Sequence, residues 1–197
     1  MTTWFTSDLH LRHTNIIKYC ARPWTDAAAM DEALIANWNA VVAPEDEVWN
    51  LGDVALGSSS GAVLDQLRRL NGMHHVVAGN HDALTRRLWC SVWSFGLASL
   101  HEGIVKIEVE GQQIVLCHYA MREWHHALRG VWHLFGHTHG GLRPFGKSVD
   151  VGVDNVSEIV PGALYRPVSF AEVKAFMAAR PIGDHPKFDN FYPNATS

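Results

Sequence analysis

Apolar positions along the chain alternate between two spacings, and the switches mark its elements. Thr2–Ser7 is a short apolar run that ends at Asp8. Glu47–Leu51 and His75–Ala78 repeat that arrangement, each running into a glycine and a polar residue (Gly52-Asp53, Gly79-Asn80), so all three predict buried strands. Between them, Asp26–Val42 sets Met30, Leu34, Trp38 and Val41/Val42 at helical spacing and stops before Pro44. Ser58–Leu70 does the same with Val63, Leu64, Leu67 and Leu70, closed by Asn71-Gly72. Ile104–Val109 and Gln113–Cys117, joined through Glu110-Gly111, predict an antiparallel hairpin. Val131–Phe135 and Val149–Val153 are two more strands, and Ser169 with Glu172 forms a capping box that starts a last helix running to about Arg180. The reading is a single α/β domain over residues 1–180, followed by a polar, proline-bearing, irregular tail over 181–197.

One regularity outweighs the boundaries. Strand after strand ends in side chains able to hold a metal: Asp8/His10, Asp53, Asn80/His81, His118 and His137/His139. In open α/β sheets ligands gather outside the carboxyl ends of strands, so these distant segments should meet at one edge of the fold. In Asp8-x-His10 and His137-x-His139, alternation along an extended segment would put both side chains on the same side. Carboxylate and amide oxygens together with imidazole suit zinc, iron and manganese, and a carboxylate such as Asp53 can bridge two ions. Any one of these residues taken alone is better read as a polar cap on a turn; the set of seven in strand-end positions is what points to a site.

Composition narrows the classes. Of 197 residues, 47% are hydrophobic and 18% charged, which is globular rather than disordered. A net charge of -4 argues against a surface built to grip long nucleic acid, and the eight tryptophans are scattered as core packing would have them. Cys20, Cys90 and Cys117 are odd in number and form no C-x-x-C pair, which indicates free thiols in a reducing compartment rather than a disulfide framework or a cysteine zinc site. No apolar run approaches the length that spans a bilayer, and the first residues lack the basic and apolar regions of a signal peptide. The expected setting is the cytoplasm, with no membrane partner and an oligomeric state the sequence leaves open.

The ordered set D-x-H (Asp8, His10), G-D (Asp53), G-N-H-D (Asn80, His81), a lone His118 and G-H-x-H (His137, His139) resembles the calcineurin-like metallophosphoesterase superfamily, in its short stand-alone bacterial and phage-type members. The resemblance implies a four-layer αββα sandwich of two packed β-sheets flanked by helices. It implies two divalent ions per chain (manganese, iron or zinc, with manganese the ion to load in vitro). Asp8, His10 and His139 would hold the first ion, Asn80, His118 and His137 the second, and Asp53 would bridge them. It implies hydrolysis of a phosphodiester or phosphomonoester, a small soluble or nucleotide substrate, by in-line attack of a hydroxide shared by ions about 3.5–4 Å apart. His81 matches the family histidine that is not a ligand but faces the phosphate, where it would serve as general acid.

Two departures qualify this. Where many family phosphatases read G-D-x-x-D, with the second Asp orienting the catalytic histidine, this chain has Leu56, so His81 should be held loosely unless Asp82 or another acid replaces it. The third segment reads G-N-H-D where G-N-H-E is common. His13, Arg12, Arg22 and Arg143 lie in or after the motif loops and are candidate substrate contacts, the arginines as bidentate phosphate clamps. Two other functions compete: a non-catalytic scaffold that keeps the fold to bind protein partners, and a nuclease acting on DNA or RNA. The first should have lost a ligand or His81, and the second should carry a basic or aromatic stripe.

Overall fold

In the computed structural model the described residues are 1–56, 60–82 and 97–182; Cys90 and most of the expected tail, residues 183–197, lie outside them. Strands β1 (Thr3–Thr6), β2 (Glu47–Asn50), β3 (Met73–Val77) and β4 (Leu97–His101) run parallel in the first sheet. β9 (Val168–Ser169) pairs antiparallel with β1, giving the order β4-β3-β2-β1-β9. The second sheet takes β5 (Ile104–Val109), β6 (Gln112–Cys117), β7 (Trp132–Phe135) and β8 (Ser148–Asp150) in that order. Its first pair is the expected hairpin, turning through Glu110 and Gly111 at φ 49° and 79°, the left-handed pair that a two-residue turn matched to strand twist requires.

Alternation along each strand sorts the core into layers. From the first sheet Phe5, Trp49 and Val77 face inward and meet Ile114, Leu116, Trp132, Leu134 and Val149 of the second, with the outer neighbours Val48 and Val76 on the opposite face. That outer face is covered by α1 (Thr14–Tyr19), α2 (Ala27–Asn39) and α3 (Ser60–Leu67) through Ile16, Met30, Leu34, Trp38, Val63 and Leu67. Asp26 caps α2, its carboxylate accepting from the Ala29 N–H at 2.9 Å. α4 (Val156–Ile159) and α5 (Phe170–Ala178) add Val156, Ile159, Phe170, Val173 and Met177 to the core between the sheets. The expected capping box opens α5, with Ser169 and Glu172 each holding the other's backbone N–H. The outer face of the second sheet carries less. There Val115 packs with Trp124, Ala127 and Val131 under a loop whose only helical piece among the described residues is a 3₁₀ turn, Ala127–Arg129. The result is two mixed sheets flanked by unequal helical layers.

The sheets are stitched together at one end. Beyond β1, Ser7 forms a parallel bridge with Gly152 beyond β8, and the Val153 N–H donates to the Ser7 carbonyl at 3.1 Å. This is why the predicted strand Val149–Val153 stops at Asp150: its last residues leave the second sheet to join the first. Among the described residues no helix is long and apolar enough to cross a membrane.

Candidate metal centre

All five motif segments leave their strands at the stitched end. The chain after β1 lies along the chain after β2, with the Asp8 and His10 N–H groups donating to the carbonyls of Gly52 and Asp53 at 2.9 Å each. It is not extended there, as alternation had suggested. Asp8, His10 and Arg12 have φ of 59°, 51° and 65°, Asp53 has 52°, and His137 and His139 have 67° and 47°. Left-handed backbone at non-glycine residues is strained, and Asp and His tolerate it better than most. The glycines between them serve close approach: a Cβ on Gly79 would strike Asp53 Oδ1 and His118, and one on Gly136 would strike Ser7 Oγ and Asp8 Oδ2.

Among the described residues three groups of potential donors result, two made of motif residues and a third, Cys20, His139 and Asp154, that shares His139. Asp8, His10 and His139 place one ligand atom each within 4.8 Å of one another, and so do Asp53, His118 and His137. His137 and His139 therefore diverge into different groups instead of sharing a side. Asp53 lies between the motif groups: its Oδ2 is 3.5 Å from His10 Nε2 and 3.6 Å from His118 Nε2. Asn80 Oδ1 is 3.0 Å from the same His118 nitrogen, so it joins the second group. His118 Nδ1 lies 2.7 Å from the Leu51 carbonyl; donating its proton there leaves Nε2 with a free lone pair. Asp8 Oδ1 and His10 Nε2 are buried and have no hydrogen-bond partner. Buried polar atoms are rarely orphaned, and a carboxylate oxygen beside imidazole nitrogens is what a divalent cation needs. The residues fit the metal centre that the motifs imply.

The same groups have shifted titrations. Burial pushes the Asp8 carboxyl up to about 8, outweighing the opposing pull of His139 and of its hydrogen bonds to Ser7 and the His137 N–H. Burial, assisted by His139 and Arg22, draws His10 down to about 2, keeping it a neutral lone-pair donor. For His139 burial also opposes the charge, but its bonds to Asp154 and Cys20 outweigh that and carry it up to about 10.

The structure gives roles to acids that are not among the seven candidate ligands. Asp154 Oδ2 accepts from His139 Nδ1 at 2.7 Å, the kind of outer partner that orients an imidazole. Asp82 is fully buried and accepts from the N–H groups of Asp53, Val54 and Gly79 at 2.7–3.0 Å. Its two oxygens brace the Asp53 loop instead of orienting His81. Asp150 likewise holds Thr138 Oγ1 and the Gly140 N–H at 2.6 and 2.9 Å. Asp150 and Asp154 are acids at or just past a strand, with no motif to distinguish them from ordinary caps.

The candidate substrate contacts separate. Arg22 is buried and turned inward: Nε and one terminal nitrogen grip Asp154 at 2.8 and 2.7 Å. The remaining N–H groups reach the carbonyls of Asp8 and Leu9 and the sulfur of Met30, so none is left for a phosphate. It is a brace, not a clamp. Arg12 is exposed, its N–H held by Asp31 at 2.9 Å, and it does not line the cavity over the metal groups. That cavity, of about 840 Å³, is lined by His13, His81, Asn80, Tyr19 and Cys20 together with the ligand residues. His13 Nδ1 sits 3.2 Å from His10 Nδ1, and the His81 ring lies 5.3 Å from that of His10 and 5.8 Å from that of His13.

Known proteins are similar to this chain in sequence or in fold. The chain is 33% identical over 171 residues to an uncharacterised protein of Methanocaldococcus jannaschii, covering 83% of this chain and 84% of that one. It is 27% identical over 190 residues to the gene 66 protein of Mycobacterium phage D29, covering 80% and 90%. Its fold is similar to that of a protein of unknown function from Aquifex aeolicus, with a TM-score of 0.66, 21% identity and coverage of 88% and 98%. The calcineurin-like phosphoesterase superfamily domain matches residues 1–177, which takes in every strand, every helix but the last residue of α5, and the donor groups. The chain belongs to the calcineurin-like phosphoesterase superfamily, a family of phosphate-ester hydrolases that generally use divalent metal ions.

Proposed function

We propose that this chain hydrolyses small soluble phosphate esters, diesters or monoesters, at a centre for two divalent cations. Asp8, His10 and His139 hold one, Asn80, His118 and His137 the other, and Asp53 belongs to both. The observation that carries this reading is the position of Asp53 Oδ2, 3.5 Å from a nitrogen of the first group and 3.6 Å from a nitrogen of the second. The buried, unpartnered Asp8 Oδ1 and His10 Nε2 support it. When bound, such ions polarise phosphoryl oxygens and acidify water. The chain's own residues do the rest. Asp82 holds the Asp53 loop, Arg22 and Asp154 hold the Asp8–His10 segment against His139, and His81, exposed on the cavity, protonates the departing alkoxide. We place this activity in the cytoplasm, where the free thiols of Cys20 and Cys117 stay reduced.

Protein stripped with chelator and reconstituted with manganese should take up two equivalents by elemental analysis and hydrolyse bis(p-nitrophenyl) phosphate. Uptake that stops at one equivalent would overturn the two-ion reading. Asp53→Asn should weaken both equivalents together, because its carboxylate serves both groups.

A further inference from the structure

Beside the metal centre lies a second cavity of about 430 Å³, within the size range of small-molecule sites. Its walls come from the loops that carry the candidate ligands. Ala120 stands two residues after His118, Phe135 two before His137, and Leu142 three after His139. At 3.8 Å per residue, the Cα atoms of Ala120 and Phe135 are at most about 7.6 Å from those of the nearest ligands. The Tyr119 ring closes the sequence gap, 5.0 Å from the ring of His118 and 4.8 Å from that of His137.

The lining has a definite character. Phe135, Phe145, Met121 and Leu142 are apolar, and Phe145 and Met121 are packed into the cluster beneath the second sheet, so these walls are built before any ligand arrives. The Ser148 hydroxyl is already committed to the Phe145 carbonyl at 2.7 Å. The charged lining residues are Arg122 and Arg143, both exposed, and among the described residues neither is paired with a carboxylate. Two arginines and two phenylalanines lining one cavity suit an aromatic ring accompanied by a negative charge.

We propose that this cavity receives one substituent of the ester, a nucleobase-like aromatic ring bearing an anionic group beyond the scissile phosphate. The substrate class is therefore a nucleotide with a further phosphate. This inference rests on the proposed phosphoesterase reading, since it takes the metal centre as the place where the ester is cleaved. The ring lies against Phe135, Phe145 and Met121, and Arg122 and Arg143 take the second phosphate.

Three p-nitrophenyl diesters that release the same phenolate separate the contributions: the methyl ester, the thymidine 5′-ester, and the thymidine 5′-ester carrying a 3′-phosphate. KM should fall along that series with little change in kcat. Arg122→Ala with Arg143→Ala should raise KM for the 3′-phosphorylated ester roughly 10- to 100-fold, as loss of charge-assisted bonds does, and by a much smaller factor for the methyl ester. Equal KM for all three esters would overturn the proposal while leaving the hydrolase reading intact, and so would an octyl ester that binds as well as the nucleoside. If no ester is hydrolysed with manganese, iron or zinc, the hydrolase reading falls, and calorimetry decides the cavity alone. Thymidine 3′,5′-bisphosphate should bind chelator-treated wild type more tightly than the double arginine variant, and equal affinities would overturn the site.

Discussion

His81 is held by its backbone, whose N–H donates to Asp53 Oδ1 at 2.8 Å, while its ring stands exposed over the cavity. No acid stands at position 56, and Asp82 is spent on backbone N–H groups. If this imidazole is an acid and not a ligand, His81→Ala should leave both metal equivalents in place. It should lower kcat about 10²–10⁴-fold for alkyl diesters and far less for nitrophenyl esters, whose leaving group needs no proton. Equal losses across a leaving-group series would exclude the acid role. Asp154 and Arg22 make a separate claim. Asp154→Asn keeps an oxygen for His139 Nδ1 but removes the charge that makes the ring a better donor, so a metal titration should show one equivalent weakened about 10- to 100-fold and the other unchanged. The seven candidate donors that the structure brings together are legible in the sequence because their spacing after strands is itself a pattern. Asp154 is not legible there, and Arg22 reads as a substrate contact, because nothing in a linear sequence says whether a loop arginine turns inward. Here the acid it meets is 132 residues away.

At the scale of elements, the long periodic stretches were legible and the short ones were not. α2, the hairpin and the capping box of α5 appear as read. α1, with six residues, and β9, with two, are too short to show a period, and they exist because tertiary packing of Ile16, Ile17 and Val168 holds them. β4 pairs with β3 through an irregular register at His74/His75, which breaks the alternation that would have announced it. The motif loops were misread in conformation: alternation assumes extended backbone, whereas the left-handed residues at 8, 10, 137 and 139 fold the segments tightly enough to divide His137 from His139. The capping box gives a clean element-scale test. Ser169→Ala removes the hydroxyl that accepts from the Glu172 N–H at 3.2 Å and should lower stability by about 1 kcal/mol in denaturant titration. Metal uptake should not change, since α5 touches the core and not the centre. A loss of metal with Ser169→Ala would mean that α5 braces the site.

For the whole molecule, the convergence of strand ends follows from two sheets joined at one end by the Ser7–Gly152 bridge, and everything that stabilises the second sheet also stabilises the site. His133 tests that coupling away from any ligand. It is fully buried on β7, its Nδ1 lies 3.0 Å from the Val115 carbonyl, and its Nε2 accepts from the Met121 N–H at 3.1 Å. One nitrogen donates and the other accepts, an arrangement that only the neutral ring can make. Burial accordingly draws it down to about 4 from the ordinary 6.5. The unfolded chain thus binds this proton at a higher pH than the folded one. The contribution is fully present above pH 6.5 and is lost as pH falls from 6.5 through 4. A gap of about 2.5 pH units at about 1.4 kcal/mol per unit amounts to roughly 3 kcal/mol. His133→Gln keeps a donor and an acceptor but cannot titrate. Urea titrations of wild type and His133→Gln from pH 7.5 down to pH 4 should therefore show the wild type losing roughly 3 kcal/mol more than the variant, most of it below pH 6.5. Parallel curves for the two proteins would show that the ring is not held neutral in the fold, and that the acid sensitivity of the second sheet arises elsewhere.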